Sequence, residues 1–227
     1  MLDGNPVQLD VVPFRVVNVK VEAGERLKED RIFLEGDLSV LPVVGGQHVL
    51  SYPEELEHYL SVVTKNDTLN LIFKLLEHTL PDAQKNEEWL LLKFSTITLT
   101  ADSSLVAVHS DLRELSVKLM DLKSDSVSLE ASSMNVDSCH FRSLFVKNTG
   151  GLKLRNSQIQ NVYLDLDDVP NWSAANCRIE NEYLTGSRKH YNDLNKGECR
   201  HLYWKPKNED AQLRVTLKEG ASVSLQD

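Results

Sequence analysis

Apolar and polar residues alternate along most of this chain, as they do in strands with one buried face. Val12, Phe14, Val16 or Val17, Val19 and Val21 form a first run, weakened early by Pro13. Residues 31–41 form a second, with Ile32, Phe33, Leu34, Leu38 and Val40, and Gly45-Gly46 separates it from His48-Val49-Leu50. Ser51-Tyr52-Pro53-Glu54-Glu55 has the composition of a helix start. A small polar residue can cap it, Pro53 fits its first turn, and the two acids face its positive end. The pattern predicts one short helix over residues 53–60. Residues 60–64 and 69–75 flank the turn-rich Lys65-Asn66-Asp67-Thr68, which predicts a hairpin. Residues 77–89 are polar, contain Pro81, and are expected to be a connector with a short helical turn.

From Leu90 onward short apolar-polar-apolar triplets recur, and they repeat position by position. Ser138-Cys139-His140-Phe141-Arg142-Ser143-Leu144-Phe145-Val146 is matched 18 residues later by Asn156-Ser157-Gln158-Ile159-Gln160-Asn161-Val162-Tyr163-Leu164. Asn176-Cys177-Arg178-Ile179-Glu180-Asn181-Glu182-Tyr183-Leu184 follows after 20 more. Leu115/Val117, Met134/Val136 and Leu152/Leu154 repeat in step. Short strands at a fixed period of this length predict a parallel β-helix, whose coils cannot bury a core singly and must stack. An antiparallel sandwich also spaces its turns closely, but it does not require this repetition. The expected fold is therefore all-β: a single-stranded right-handed parallel β-helix with an N-terminal β section, one short helix and a C-terminal cap. The expected division is residues 1–88 for the opening section packed on the solenoid, 89–185 for about five coils, and 186–227 for the cap, in one continuous domain. Beyond Leu184 the repeat fades into polar, mixed sequence, with final strands expected at 212–217 and 221–225.

Stacking fixes several side chains. Cys139, Ser157 and Cys177 share one repeat position, so the two cysteines should lie two coils apart, about 9.6 Å at the usual strand spacing. A disulfide needs Cα atoms within about 7 Å, so no Cys139–Cys177 bridge is expected. Asn156 and Asn176 share a position, as do Asn161 and Asn181, and stacked amides at coil corners can bond one another and the turn backbone. Phe145, Tyr163 and Tyr183 share a third. Alternation points them outward, as a ladder able to meet sugar rings or a partner strand, or to be covered by a neighbouring loop or the N-terminal part.

Composition narrows the field. The 227 residues carry 34 acids against 25 bases, a net charge of -9, which argues against a nucleic-acid or polybasic membrane binder. No apolar run approaches the ~18 residues of a spanning helix. MLDGNP has neither a basic nor an apolar leader region. The expectation is an exported protein (periplasm, outer membrane or cell surface) if a leader was removed, and a cytoplasmic one otherwise. Three cysteines, Cys139, Cys177 and Cys199, make no dense disulfide framework.

The layout resembles the family named Putative auto-transporter adhesin, head GIN domain. An opening strand at 11–19 is followed by residues 53–60 leading into 60–75, then 91–99, then stacked rungs. Ser, Asp and Asn stand at the rung turns where that family is rich in glycine. The resemblance implies a right-handed β-helix in an exported bacterial protein and supplies no catalytic residues. The expected function is a non-enzymatic cell-envelope or surface protein, adhesin-like, offering a stiff face to a glycan or surface protein. The alternatives are an intracellular polymerising solenoid of bactofilin type and a small carbohydrate-active β-helix enzyme.

Candidate chemistry is sparse. The motifs of nucleotide binding, zinc proteolysis and serine hydrolysis are absent, and no cofactor or metal is expected. His58 and His78 lie too far apart for a local pair, and Glu55, Glu57 and Glu77 read as solvated faces. Cys199 and His201 should share a strand face, with His190, Glu198, Tyr191 and Asp193 nearby; a packed polar loop is the plainer reading. Asp165, Asp167 and Asp168 could bind calcium or a saccharide, but Val169-Pro170-Asn171 follows at once and favours a solvated acidic turn.

Overall fold

The computed structural model describes residues 1–24, 31–76, 80, 89–195, 198–218 and 221. They fold into nineteen strands: β1 Pro6–Val11, β2 Val16–Ala23, β3 Ile32–Pro42, β4 His48–Pro53, β5 Leu60–Lys65, β6 Thr68–Leu75, β7 Leu90–Ala101, β8 Ala107–Ser110, β9 Leu115–Met120, β10 Lys123–Glu130, β11 Ser133–Asp137, β12 His140–Lys147, β13 Gly151–Arg155, β14 Gln158–Asp165, β15 Trp172–Ala175, β16 Arg178–Gly186, β17 Lys189–Leu194, β18 Cys199–Pro206 and β19 Gln212–Leu217. The molecule is all-β, with two large mixed sheets. One runs β1-β4-β7-β3-β9-β11-β13-β15, the other β18-β16-β14-β12-β10-β8-β2-β6-β5, and β17 pairs with β19 in a small third sheet.

From β8 to β16 the chain alternates between the two large sheets, and from β10 onward each strand pairs in parallel with the strand two before it. One strand in each sheet makes a circuit, and the 18- and 20-residue repeat is this circuit. His140 faces Gln158, Gln158 faces Arg178, and Met134 faces Val117 and Leu152, in the register the repeat implies. Inward residues stack in columns, such as Val40, Leu119, Val136 and Leu154, each fully buried. One buried cluster extends from Phe14 to Leu184.

The circuits turn at residues with left-handed backbone. Asp121, Ser138, Asn156 and Asn176 have φ of 57°, 55°, 49° and 56°. Asn and Asp tolerate this region better than most side chains, which is why they serve where glycine could. The N–H groups of Asp121, Ser138 and Asn156 each donate to a carbonyl of the next circuit at 3.0 Å. The side chains add a second layer: Asn176 Nδ2 donates to Asn156 Oδ1 and Asn181 Nδ2 to Asn161 Oδ1. Cys139, Cys177 and Cys199 are free thiols, and Ser157 Oγ, accepting from Cys139 N–H, stands between the first two.

Three features depart from expectation. The helix expected over 53–60 is a single 3₁₀ turn, Glu54–Leu56, with no side-chain cap. The chain is recaptured at once, because Lys74 N–H donates to Tyr59 carbonyl and Leu60 pairs with Phe73. Strand β1 precedes the expected opening strand, paired antiparallel with β4. The order of strands in space is not their order in sequence. β3 lies between β7 and β9, and β2 between β6 and β8. The hairpin is as expected: β5 and β6 pair across Asn66 and Asp67, both with positive φ. The expected connector at 77–89 falls almost wholly outside the described residues, as does most of the expected strand at 221–225.

Gly36 marks a close approach. A Cβ there would sit 2.4 Å from the Phe94 ring, at a register shift between β3 and β7. Among the described residues no helix is long and apolar enough to cross a membrane.

Candidate functional site

The later circuits carry the features of interest. On the outer face of the second sheet, Phe145, Tyr163 and Tyr183 stand in register on β12, β14 and β16. Their rings stack nearly parallel, with centroids 4.5 and 4.7 Å apart. Tyr203 on β18 extends the column at 4.8 Å. The repeat pattern does not predict this fourth ring, because the residue classes around it depart from the earlier copies. The signal was present, since Tyr203 lies 20 residues beyond Tyr183. At this spacing each ring covers its neighbour's face. Tyr163 and Tyr183 therefore present edges and hydroxyls outward, and Tyr203, 48 % exposed, keeps one face uncovered by the column. Loss of hydration, with Tyr163 and Tyr203 on either side, raises the Tyr183 pKa.

The three aspartates do not converge. Asp168 is exposed, whereas Asp165 and Asp167 share the Lys207 ammonium. Asp167 is the hub. It accepts from Ser187 N–H at 2.9 Å and meets His190 Nε2 at 3.0 Å and Arg188 Nε at 3.4 Å. Partial burial alone would raise its pKa, but Lys207, Ser187 and His190 outweigh that and hold it below the usual carboxylate range. The turn expected to be solvated instead ties β14 to the start of β17 and the end of β18. Gly186 makes this possible, because a Cβ there would lie 2.5 Å from the His190 ring.

Cys199 and His201 do not share a face. Each long strand bends at its Asn corner, so inward positions fall at 179, 182 and 184 rather than strictly alternating. Cys199 takes the place of Ile179, and His201 that of the half-buried corner Asn181. His190 turns to Asp167, while Glu198 accepts from Asn195 Nδ2, so the expected cluster is dispersed. The polar loop expected here is instead β17 and β18. His58, Glu55 and Glu57 are exposed, and His78 and Glu77 lie outside the described residues. Among the described residues no group of three or more His, Cys, Asp or Glu side chains is placed to hold a metal.

Glu182 is the exception within the core. It fills an inward position between Val162 and Leu202, 1 % exposed. Burial pushes its carboxyl up to about 7, against bonds from Asn192 and Cys199 that favour the ionised form. Burial, and then Glu182 itself, push the Cys199 thiol far above the ordinary range. Cys139 is raised by burial to about 12, so it is an unreactive core thiol. Asn192 comes from β17, whose inward residues are His190, Asn192 and Leu194.

Beside Asn192 the first sheet is interrupted. β15 pairs with β13 and β17 pairs with β19, but β15 and β17 do not pair with each other. Two adjoining cavities of ≈ 250 and ≈ 290 Å³ open there, sharing Trp172, Ser173 and Tyr191.

No family model matches the chain, and no curated protein matches it. Among solved structures it is similar to a "putative adhesin" from Bacteroides fragilis, at 15 % identity over 95 % of each chain, with a TM-score of 0.51. It is also similar to a "putative lipid binding protein" from Parabacteroides distasonis, at 12 % identity over 94 % of each chain and a TM-score of 0.43. A third is a "putative adhesin" from Parabacteroides merdae, at 10 % identity over 94 % of this chain and 93 % of that one, TM-score 0.34. The first of these likenesses is one of fold.

Proposed function

We propose that this chain is a non-enzymatic, adhesin-like protein of the bacterial cell envelope or surface. In this reading it is exported, its stacked circuits are a right-handed parallel β-helix of the GIN head type, and its partner is a glycan or surface protein. The opening section is residues 1–88, the coils 89–185 and the cap 186–227. The observation that carries the reading is the column Phe145, Tyr163, Tyr183 and Tyr203. Four aromatic side chains are held in register on an outer sheet face, where folding itself asks only for polar residues. Rigid aromatic area at low entropic cost is what recognition surfaces use. The likeness in fold to the Bacteroides fragilis protein supports the same setting. Two of the three acids that a carbohydrate-active enzyme would use, Asp165 and Asp167, are engaged by Lys207, Arg188 and His190, and the third, Asp168, stands apart and exposed.

Protease shaving of intact producing cells tests the location, with peptides of this chain scored in the released fraction. Release without lysis is expected. Beads coated with the purified chain should then adhere to cells or mucin. Full protection from the protease, with the protein in the cytosolic fraction, would end this reading and favour the polymerising scaffold.

A further inference from the structure

The two large sheets treat the last circuits differently. In the second sheet, β16 and β18 pair in one constant register from Ile179↔Cys199 to Gly186↔Pro206. In the first, the same advance leaves β15 and β17 unpaired. The residues on the inward side of this parting are unusual. Trp172 and Ala174 are in register with the buried Leu152 and Leu154, yet both are partly exposed. The inward residues of β17 are His190, Asn192 and Leu194, and Asn192 borders the same cavity as Trp172 and Ala174. A slot lined by both strands lies between these two edges.

The slot has a definite chemistry. Trp172 and Tyr191 border both lobes, and Tyr191 is 61 % exposed. Ser173, Asn192 and Asn195 supply uncharged hydrogen-bonding groups to the more enclosed lobe. Asn192 is 3 % exposed, and its Nδ2 is committed to Glu182 at 3.4 Å. Its Oδ1 has no partner among the described residues, so a buried acceptor borders the cavity, where leaving it unpaired is costly. The charges in this lobe, Asp193 and Lys218, are paired with each other across β17 and β19. Each lobe is smaller than a typical drug-sized pocket of ~300–1,000 Å³, so each suits a single small ring.

We propose that the slot between β15 and β17 binds a neutral saccharide, one ring in each lobe. An aromatic wall meets the apolar face of the sugar, and Asn192 Oδ1, Ser173 and Asn195 bond its hydroxyls. A charged sugar finds no uncompensated countercharge in the enclosed lobe, and the second lobe adds the exposed Lys153 alone. The aromatic column is a poorer seat, because its inner rings cover one another's faces. This inference rests on the surface-binding reading above and gives it a ligand class and a place.

The full chain should be titrated with glucose, galactose, mannose, N-acetylglucosamine and their β-linked disaccharides, following the tryptophan indole signals by NMR. A saturable shift at Trp172 is expected with at least one neutral sugar. Tyr191→Ala should weaken it tenfold or more, and Tyr191 is exposed enough for the variant to fold. Trp172→Phe, followed by titration calorimetry because it removes the reporting indole, should weaken binding less, and Tyr203→Ala should leave it unchanged. Binding that survives Tyr191→Ala and Trp172→Phe but is lost in Tyr203→Ala would overturn the slot and leave the surface reading standing. No sugar binding alongside adherent coated beads would do the same. Neither sugar binding nor adherence would remove both. Stronger binding of glucuronate or sialic acid than of any neutral sugar would overturn the proposed ligand class.

Discussion

Glu182 occupies a column that Val162 fills one circuit before it and Leu202 one circuit after. Burying a carboxyl there costs stability once it ionises. Its folded value, about 7, lies above the ordinary 4.5. The folded state therefore keeps a proton that the unfolded chain gives up, and the associated stability is complete below about 4.5 and is lost as pH rises through about 7. A displacement of this size corresponds to roughly 3 kcal/mol. Urea unfolding of wild type and Glu182→Gln, compared from pH 4 to 8.5, should show the variant gaining on wild type as pH rises and levelling off above neutrality. Parallel curves would show that Glu182 does not titrate in this window. The repeat aligns Glu182 with Leu144 and Val162, so its inward place is legible in the sequence. It did not show the cost, which depends on Asn192 and Cys199 arriving from later strands.

At the scale of the element, the corners carry the argument. Asp121, Ser138, Asn156 and Asn176 repeat a left-handed conformation that most side chains resist. Asn156→Ala should lose about 1–2 kcal/mol from backbone strain, together with the bonds to Asp137 and Asn176. Asn156→Gly should recover the backbone part and lose only the side-chain bonds. Equal losses in the two variants, by denaturant midpoint, would show that side-chain bonds rather than φ set the cost. These corners were legible because small polar residues recur at one repeat position. The 3₁₀ turn Glu54–Leu56 was not, because Ser51 to Glu55 has helix-start composition and only pairing of β5 with β6 cuts the helix short. Tyr203 was missed for a related reason. Its strand shares the column of Tyr183 but replaces Ile179 with Cys199 and Asn181 with His201, so the residue classes no longer match.

For the whole molecule, the two ends of the stack differ. One is closed by antiparallel strands, β1 against β4 and β5 against β6. β1 begins at Pro6 and is followed by Pro13, and proline on an edge blunts further pairing. An end-to-end filament would need both ends open to a like strand. Sedimentation of the full chain over a hundredfold range of concentration should therefore give a constant monomer. A weight-average mass that rises with concentration would support the polymerising reading.

The sequence by itself determined the class, the repeat and most inward and outward positions. These follow from strand alternation and from parallel stacking in register, which are local rules that each circuit restates. It determined the shared column of Phe145, Tyr163 and Tyr183 for the same reason. Only the tertiary structure decided that β2 and β3 stand between later strands, because an edge accepts any strand of matching pattern whatever its place in the chain. Only the tertiary structure joined Asp167 to Lys207, His190 and Arg188, partners up to 40 residues away. And only it parted β15 from β17. That parting is not legible in the sequence, because the inward Asn192 finds its partner, Glu182, on a strand of another sheet.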